Sequence, residues 1–236
     1  MQTYLTPEPI TCEVRNATGS VTVELSDTPT TTVELLASGN GGGGFLDDMF
    51  RSVWGGPNSV PQGDAVDDVV VEFENNRLIV DTEPAHRQWH TGFVVRISAP
   101  SGSGIRTRTE SADIIVRGVP DRVEVKTSAG NVDVESTGRH ASLRTVSGDI
   151  DVHDAADGTV DVAAVSGSLS IGVHAGAAAK VELSTVSGRA RSDLPVQAKL
   201  DGAALTIKGR TVSGNVTLHA ADAGSSADGS AGTATA

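Results

Sequence analysis

The chain has 236 residues, of which 3% are aromatic and 27 are glycine, and its apolar content is mostly Val, Ile, Leu and Ala. That length can bury a full core, and that composition suits strands and tight turns better than a pocket for a large planar cofactor. The formal charge of −12, from 18 basic and 30 acidic residues with no basic stripe in view, argues against nucleic acid as a partner; the acidity lies forward, at −11 over residues 1–83 and −1 over residues 84–236.

Met1 to Ile10 contain no basic residue and no apolar run, and nowhere do about 18 consecutive apolar residues occur. The expectation is a cytoplasmic protein with reduced thiols and no membrane partner. Cys12 has no second cysteine to pair with, and its neighbour Glu13 disfavours a thiolate, so it reads as a half-buried strand residue. Strands follow where apolar residues alternate, at Ile10 to Val14, Val21 to Leu25 and Val33 to Leu35.

Residues 39–65 form a Gly-rich insertion. Between Gly39 to Gly44 and Gly55 to Asn58, the apolar residues of the segment 45–54 fall at i, i+1, i+4, i+5, i+8 and i+9, the stripe of a short amphipathic helix. Asp47 and Asp48 occupy its first turn, where acids suit the helix dipole. Ten residues do not hold a helix alone. The segment therefore caps the open first coil, docks on a protein partner through Phe45, Met49, Phe50 and Trp54, or lies on a membrane surface, the last reading being weakest because the segment nets one negative charge and lacks a Lys/Arg face. Beyond it, Val69 to Phe73 and Leu78 to Val80 flank Asn75-Asn76, a hairpin turn. His86 and His90 have the i, i+4 spacing of a metal pair, but Pro84 and Trp89 mark an exposed loop and no hydrolase glutamate accompanies them. Phe93 to Ile97 is a further strand, ended by Pro100.

From residue 109 onward the chain repeats a box, Thr-Val-Ser-Gly-x-φ-x-φ, in which φ is apolar. Good copies start at Thr145, Ala164 and Thr211. The copy at Thr127 is looser, the one at Thr185 loses its apolar pair to Arg189-Ala190-Arg191, and Thr109 opens a degenerate first copy. Apolar residues alternate with period two before the box (Val123, Val125, Thr127) and after it (Ile150, Val152), but on opposite parity. A corner at Gly130, Gly148, Gly167, Gly188 and Gly214 accounts for the slip, because glycine adopts a conformation other residues resist. The repeat spacing predicts a single-chain parallel β-solenoid of about 18 to 21 residues per coil, right-handed by the crossover rule, each coil stacking on the one before and the one after. The solenoid spans residues 1–220 as one domain. Nothing in the sequence after Leu218 reads as a cap, so the last coil should present a free strand edge; Ala221 to Ala236 is assigned to a disordered tail.

With boxes such as Thr145 to Val152 and Thr127 to Val134, preceded by Thr6 to Ile10 and Ala17 to Val23, the chain resembles the bacterial putative-adhesin family, a β-strand-repeat domain of unknown function. The resemblance covers roughly residues 8–218 and implies a β-solenoid without catalytic residues.

Asp133 and Asp151 share a box position in successive coils, and with Asp149 nearby they are the candidates for a calcium ion; the alternative is solvated carboxylates. Arg189 and Arg191 lie too far along to complete a polysaccharide lyase. No Gly-x-Ser-x-Gly elbow or phosphate loop occurs, and no cofactor is implied. The leading expectation is a non-enzymatic scaffold or protein-interaction module. Self-assembly into filaments comes second, and a calcium-dependent polysaccharide binder or lyase third.

Overall fold

The computed structural model describes residues 1–38, 62–193 and 204–221. The segment 45–54, with Phe45, Met49, Phe50 and Trp54, and the tail from residue 222 lie outside the described residues.

The chain is an all-β solenoid in which each coil gives one strand to each of two parallel ladders. In spatial order the first ladder runs β5 (Arg77–Asp81), the first half of β2 (Thr11–Ser26), the first half of β7 (Gly104–Arg117), β8 (Arg122–Ala129) and β10 (His140–Ser147). It continues through β12 (Gly158–Ser166) and β16 (Leu205–Ser213) to β14 (Ala179–Ser187). The second ladder runs β6 (Gly92–Pro100), the second halves of β2 and β7, β9 (Val132–Ser136) and β11 (Ile150–Ala155). It ends with β13 (Leu169–Val173), β17 (Val216–Ala220) and β15 (Ala190–Ser192). Val123 pairs with Ile105 and Ala141, and Ala141 with Val160, so the central coils repeat every 18 or 19 residues.

Period-two alternation aims one face of each strand inward, and register lines those residues up along the axis. One buried column is Leu78, Cys12, Ile105, Val123, Ala141, Val160 and Ile207; another, across the core, is Val95, Val21, Ile114, Val132, Ile150, Leu169 and Val216. Cys12 is wholly buried rather than half-buried, and burial pushes its thiol up to about 12. Between the ladders the chain turns at Gly130, Gly148, Gly167, Gly214 and Gly188, all at positive φ. Just past this corner, side-chain oxygens bridge the coils. The Asn131 N–H donates to Asp113 Oδ1 (2.8 Å), the Asp149 N–H to Asn131 Oδ1 (3.0 Å) and the Ser168 N–H to Asp149 Oδ1 (2.7 Å).

The coils do not stack in the chain order that the repeat predicts. The rung made by β16 and β17 sits between that of β12 and β13 and that of β14 and β15. Leu218 is therefore paired on both sides, and the outermost rung is residues 179–192. The reason is burial. β16 and β17 carry Leu205, Ile207, Val216 and Leu218, all fully buried, where the residues in register with them on β14 and β15 are the smaller Ala179, Val181, Ala190 and Ser192; Leu183 opposite Gly209 is the one exchange in the other direction. Each large apolar side chain buried is favourable by about 1.5–3 kcal/mol, so the poorer rung goes outside. Charge agrees: the observed order alternates Asp161, Lys208 and Glu182 on the outer face, whereas chain order would set Asp161 against Glu182. The front repeats the device, since the β2 rung lies between the later rungs of β5–β6 and β7.

Antiparallel strands cover that front end. β4 (Val70–Glu74) folds onto β5 through Asn75 and Asn76, both left-handed; β3 (Thr30–Ser38) lies on β6, and β1 (Gln2–Leu5) on β3. Two short helices, α1 (Gln62–Asp67) and α2 (Glu83–Trp89), pack beside it. The second corrects the sequence reading. Pro84, taken there as the sign of a loop, occupies the first turn of α2, where its missing N–H costs nothing and its fixed φ suits the helix. His90 closes the helix at φ 51°, its N–H donating to the His86 carbonyl.

Candidate functional site

The residues that alternate with the core columns form columns on the outside. One alternates in sign, with Glu13, Arg106, Glu124, Ser142, Asp161, Lys208 and Glu182 in register. Arg106 Nε donates to Glu124 at 3.0 Å, and Arg122 approaches the same carboxylate at 3.4 Å. The Arg106 hydrogen bond, ahead of the other causes, holds the Glu124 carboxyl below the usual range.

Glu13 is the one buried carboxylate among the described residues, at 7% exposure. Arg77 hydrogen-bonds one of its oxygens and Arg15 the other, at 3.2 Å. The Arg77 bond is the main reason its pKa lies below the ordinary value, outweighing burial, which pushes the other way. The native value being the lower one, the stabilisation from this pairing is complete above the unfolded value of about 4.3 and is lost as pH falls through the native value. Glu13→Gln should therefore flatten the acid limb of a melting-temperature profile from about pH 5 downward, as thermal melts across that range would record.

The adjacent column begins with Asp81 on β5 and is basic over its next four rungs. Arg15, Arg108, Lys126 and Arg144 stand in register on four successive rungs, followed by Ala163 and Arg210. Arg15 also reaches Asp81 at 3.7 Å, and Arg144 reaches Asp161 at 3.9 Å. Arg108 and Lys126 have no acidic partner among the described residues. The groove between the two columns has a volume of about 260 Å³ and is lined in part by Glu13, Arg106, Arg108 and Lys126. Sequence inspection missed this stripe because its members lie 18 to 93 residues apart. Its signal was present all the same: the residue before the box threonine is basic at Arg108, Lys126, Arg144 and Arg210. On the other flank Val146, Val165, Val212 and Val186 form an exposed apolar line that ends on the outermost rung.

Asp133 and Asp151 are direct neighbours across β9 and β11. Asp133 is engaged by Arg117 Nη1 at 2.6 Å and by His153 Nε2 at 3.1 Å, and Asp149 by the Ser168 N–H. Asp151 is exposed. Among the described residues no group of three or more His, Cys, Asp and Glu is placed to hold a metal ion. His86 Nδ1 contacts the Thr91 carbonyl at 2.7 Å and His90 is a helix cap, so the spacing of the two histidines reflects α2 rather than a shared ligand. Arg191 binds Asp193 at 2.7 Å on the outermost rung. No helix among the described residues is long and apolar enough to cross a membrane.

The family model described as Toastrack DUF4097 matches residues 95–222, just over half of the chain. A solved structure described as a putative cell adhesion protein from Clostridium sporogenes superposes with a TM-score of 0.51 at 8% identity, covering 93% of this chain and 98% of that one. Another, a putative adhesin from Bacteroides fragilis, gives a TM-score of 0.49 at 13% identity over 93% and 95% of the two chains. A search of curated proteins found no match. The first likeness shows the solenoid fold.

Proposed function

This chain belongs to the Toastrack DUF4097 family, and from that premise we propose that it is a non-enzymatic scaffold whose outermost rung pairs with the same rung of a second copy. The observation that carries the reading is Val181. Its neighbours in the core column are fully buried, yet Val181 is 37% exposed because no strand among the described residues lies beyond β14. Val186, on the same edge, is 82% exposed. A free edge with apolar residues is a template for another strand.

Charge selects the partner. Antiparallel pairing of β14 with its copy about Val181 sets Lys180 of each chain opposite Glu182 of the other on the outer face, and Val181 against Val181 within. A two-fold contact of this kind closes after two chains. A filament needs the opposite end to be equally free, and there β4, β3 and β1 overlie the first rung.

Sedimentation across a concentration series tests this. The protein should dimerise, Lys180→Glu should weaken the dimer at least about tenfold by placing like charges together twice, and Lys180→Glu/Glu182→Lys should restore it. A monomer at every concentration, or a Lys180→Glu variant that dimerises as well as the parent, rules the reading out.

A further inference from the structure

The basic column carries an inference independent of the end contact. Adjacent rungs are about 4.8 Å apart, and like charges directly opposite each other across strands destabilise a sheet. Around this column the repulsion is relieved nearly everywhere. Arg15 reaches Asp81 and Arg144 reaches Asp161, while the neighbouring column alternates Glu13, Arg106 and Glu124. Arg108 and Lys126 are the exception. They stand directly opposite each other on β7 and β8, both exposed, and neither has an acidic partner among the described residues. The carboxylates lining the same groove are already held, Glu13 by Arg77 and Arg15, Glu124 by Arg106 and Arg122. Glu110, two residues along β7 from Arg108, makes no ion pair with it. The groove of about 260 Å³ thus sets four cations, Arg15, Arg106, Arg108 and Lys126, against two carboxylates, a surplus of two positive charges.

We propose that Arg108 and Lys126 together hold one compact divalent oxyanion in this groove, a phosphate group either free or as the monoester of a small molecule. Three features select this class. The surplus of two charges is matched by a single dianion and only half matched by a carboxylate. Two cations one rung apart can each donate to a different oxygen of one tetrahedral group, Arg108 through its planar fork and Lys126 as a point charge. The extent of the free charge sets the size of the ligand. Because Arg15 and Arg144 on either side are paired with Asp81 and Asp161, the unpaired charge stops after two rungs, which a compact anion fits and an extended polyanion does not. The groove lies on the outer face of β2, β7 and β8, so the substituent of an ester leads outward without displacing the core.

The test follows the amide and side-chain N–H signals of the full chain by NMR during titration with glycerol phosphate, inorganic phosphate, sulfate and methanesulfonate. Ionic strength is matched at roughly 50 mM, where surface charges are only partly screened. The three divalent ions should shift the signals of Arg108 and Lys126 and saturate. Methanesulfonate, tetrahedral but singly charged, should bind at least about tenfold more weakly. The order of glycerol phosphate and inorganic phosphate distinguishes an esterified from a free ligand, and either order supports the site. Arg108→Gln and Lys126→Gln should each lose about tenfold or more in affinity, and Lys126→Arg should keep it. Both side chains are exposed, and with the repulsion removed Lys126→Gln should melt no lower than the parent when no ligand is added. The paired change Lys180→Glu/Glu182→Lys, remote from the groove, should leave binding intact, which separates this site from the end contact. Absence of saturable binding, shifts spread over basic residues outside the groove, equal binding of methanesulfonate, or equal binding by the two Gln variants would overturn the assignment.

Discussion

Gly148→Ala is expected to unfold the centre of the stack. Gly148 has φ +138°, and a Cβ built on it would lie far inside contact distance of the Gly130 carbonyl oxygen on the rung beneath. The Gly130 oxygen cannot retreat, because its strands are hydrogen-bonded to rungs on both sides. Backbone strain of about 1–3 kcal/mol and overpacking of similar size add to a loss of roughly 2–6 kcal/mol, or about 10 °C in melting temperature. In a solenoid each rung contacts only its neighbours, so a defect there separates the two halves of the stack. Gly176→Ala is the control. That residue also has positive φ, +86°, but nothing lies within 4 Å of the added Cβ. Only the conformational penalty of about 1–2 kcal/mol should remain. Thermal melts of both variants separate close approach from backbone strain, and equal losses would show that rung contact at Gly148 is not the constraint.

Ile207→Ala should cost about 2–5 kcal/mol and Val181→Ala less than about 1 kcal/mol, as denaturant titrations at concentrations low enough to keep the chain monomeric would read. Both residues face the core in the same column and pair directly with each other. Their difference comes from rung order: Ile207 is fully buried between Val160 and Val181, whereas Val181 stands at the open end. Stacking in chain order would reverse the two effects. A covalent readout agrees with the energetic one. Cysteines at Asp161 and Lys208, in register on adjacent rungs, should form a disulfide on oxidation; cysteines at Asp161 and Glu182, two rungs or about 9.6 Å apart, should not. Cys12 is buried and does not compete.

Among the described residues the stack ends in an edge strand, as the sequence indicates, but not in the strand it indicates. A strand edge at the far end was expected because nothing after Leu218 read as a cap, but the edge belongs to β14 and β15. The degenerate box at Thr185, with Arg189-Ala190-Arg191 where other copies carry an apolar pair, was the local sign of an outermost rung. The basic column was hidden in the same way. Arg15, Arg108, Lys126 and Arg144 lie 18 to 93 positions apart in the sequence, and a line appears only when register stacks the rungs.

What the sequence determined by itself are the features that depend on a few consecutive residues. Period-two alternation set which side chains face the core, and the shift of parity at the box placed the corner at its glycine, as with Val125, Gly130 and Val132. Asn75-Asn76 set the hairpin between β4 and β5. Pro84, by contrast, suits a loop or the first turn of a helix equally well locally, and packing at the front end decided for α2. Rung order was likewise decided only in three dimensions. Every rung offers the same backbone donors and acceptors to a parallel neighbour, so hydrogen bonding does not say which rung stacks on which. The choice falls to side chains distant in sequence. Leu205, Ile207, Val216 and Leu218 gain more from an interior place than Ala190 and Ser192, and Lys208 fits between Asp161 and Glu182.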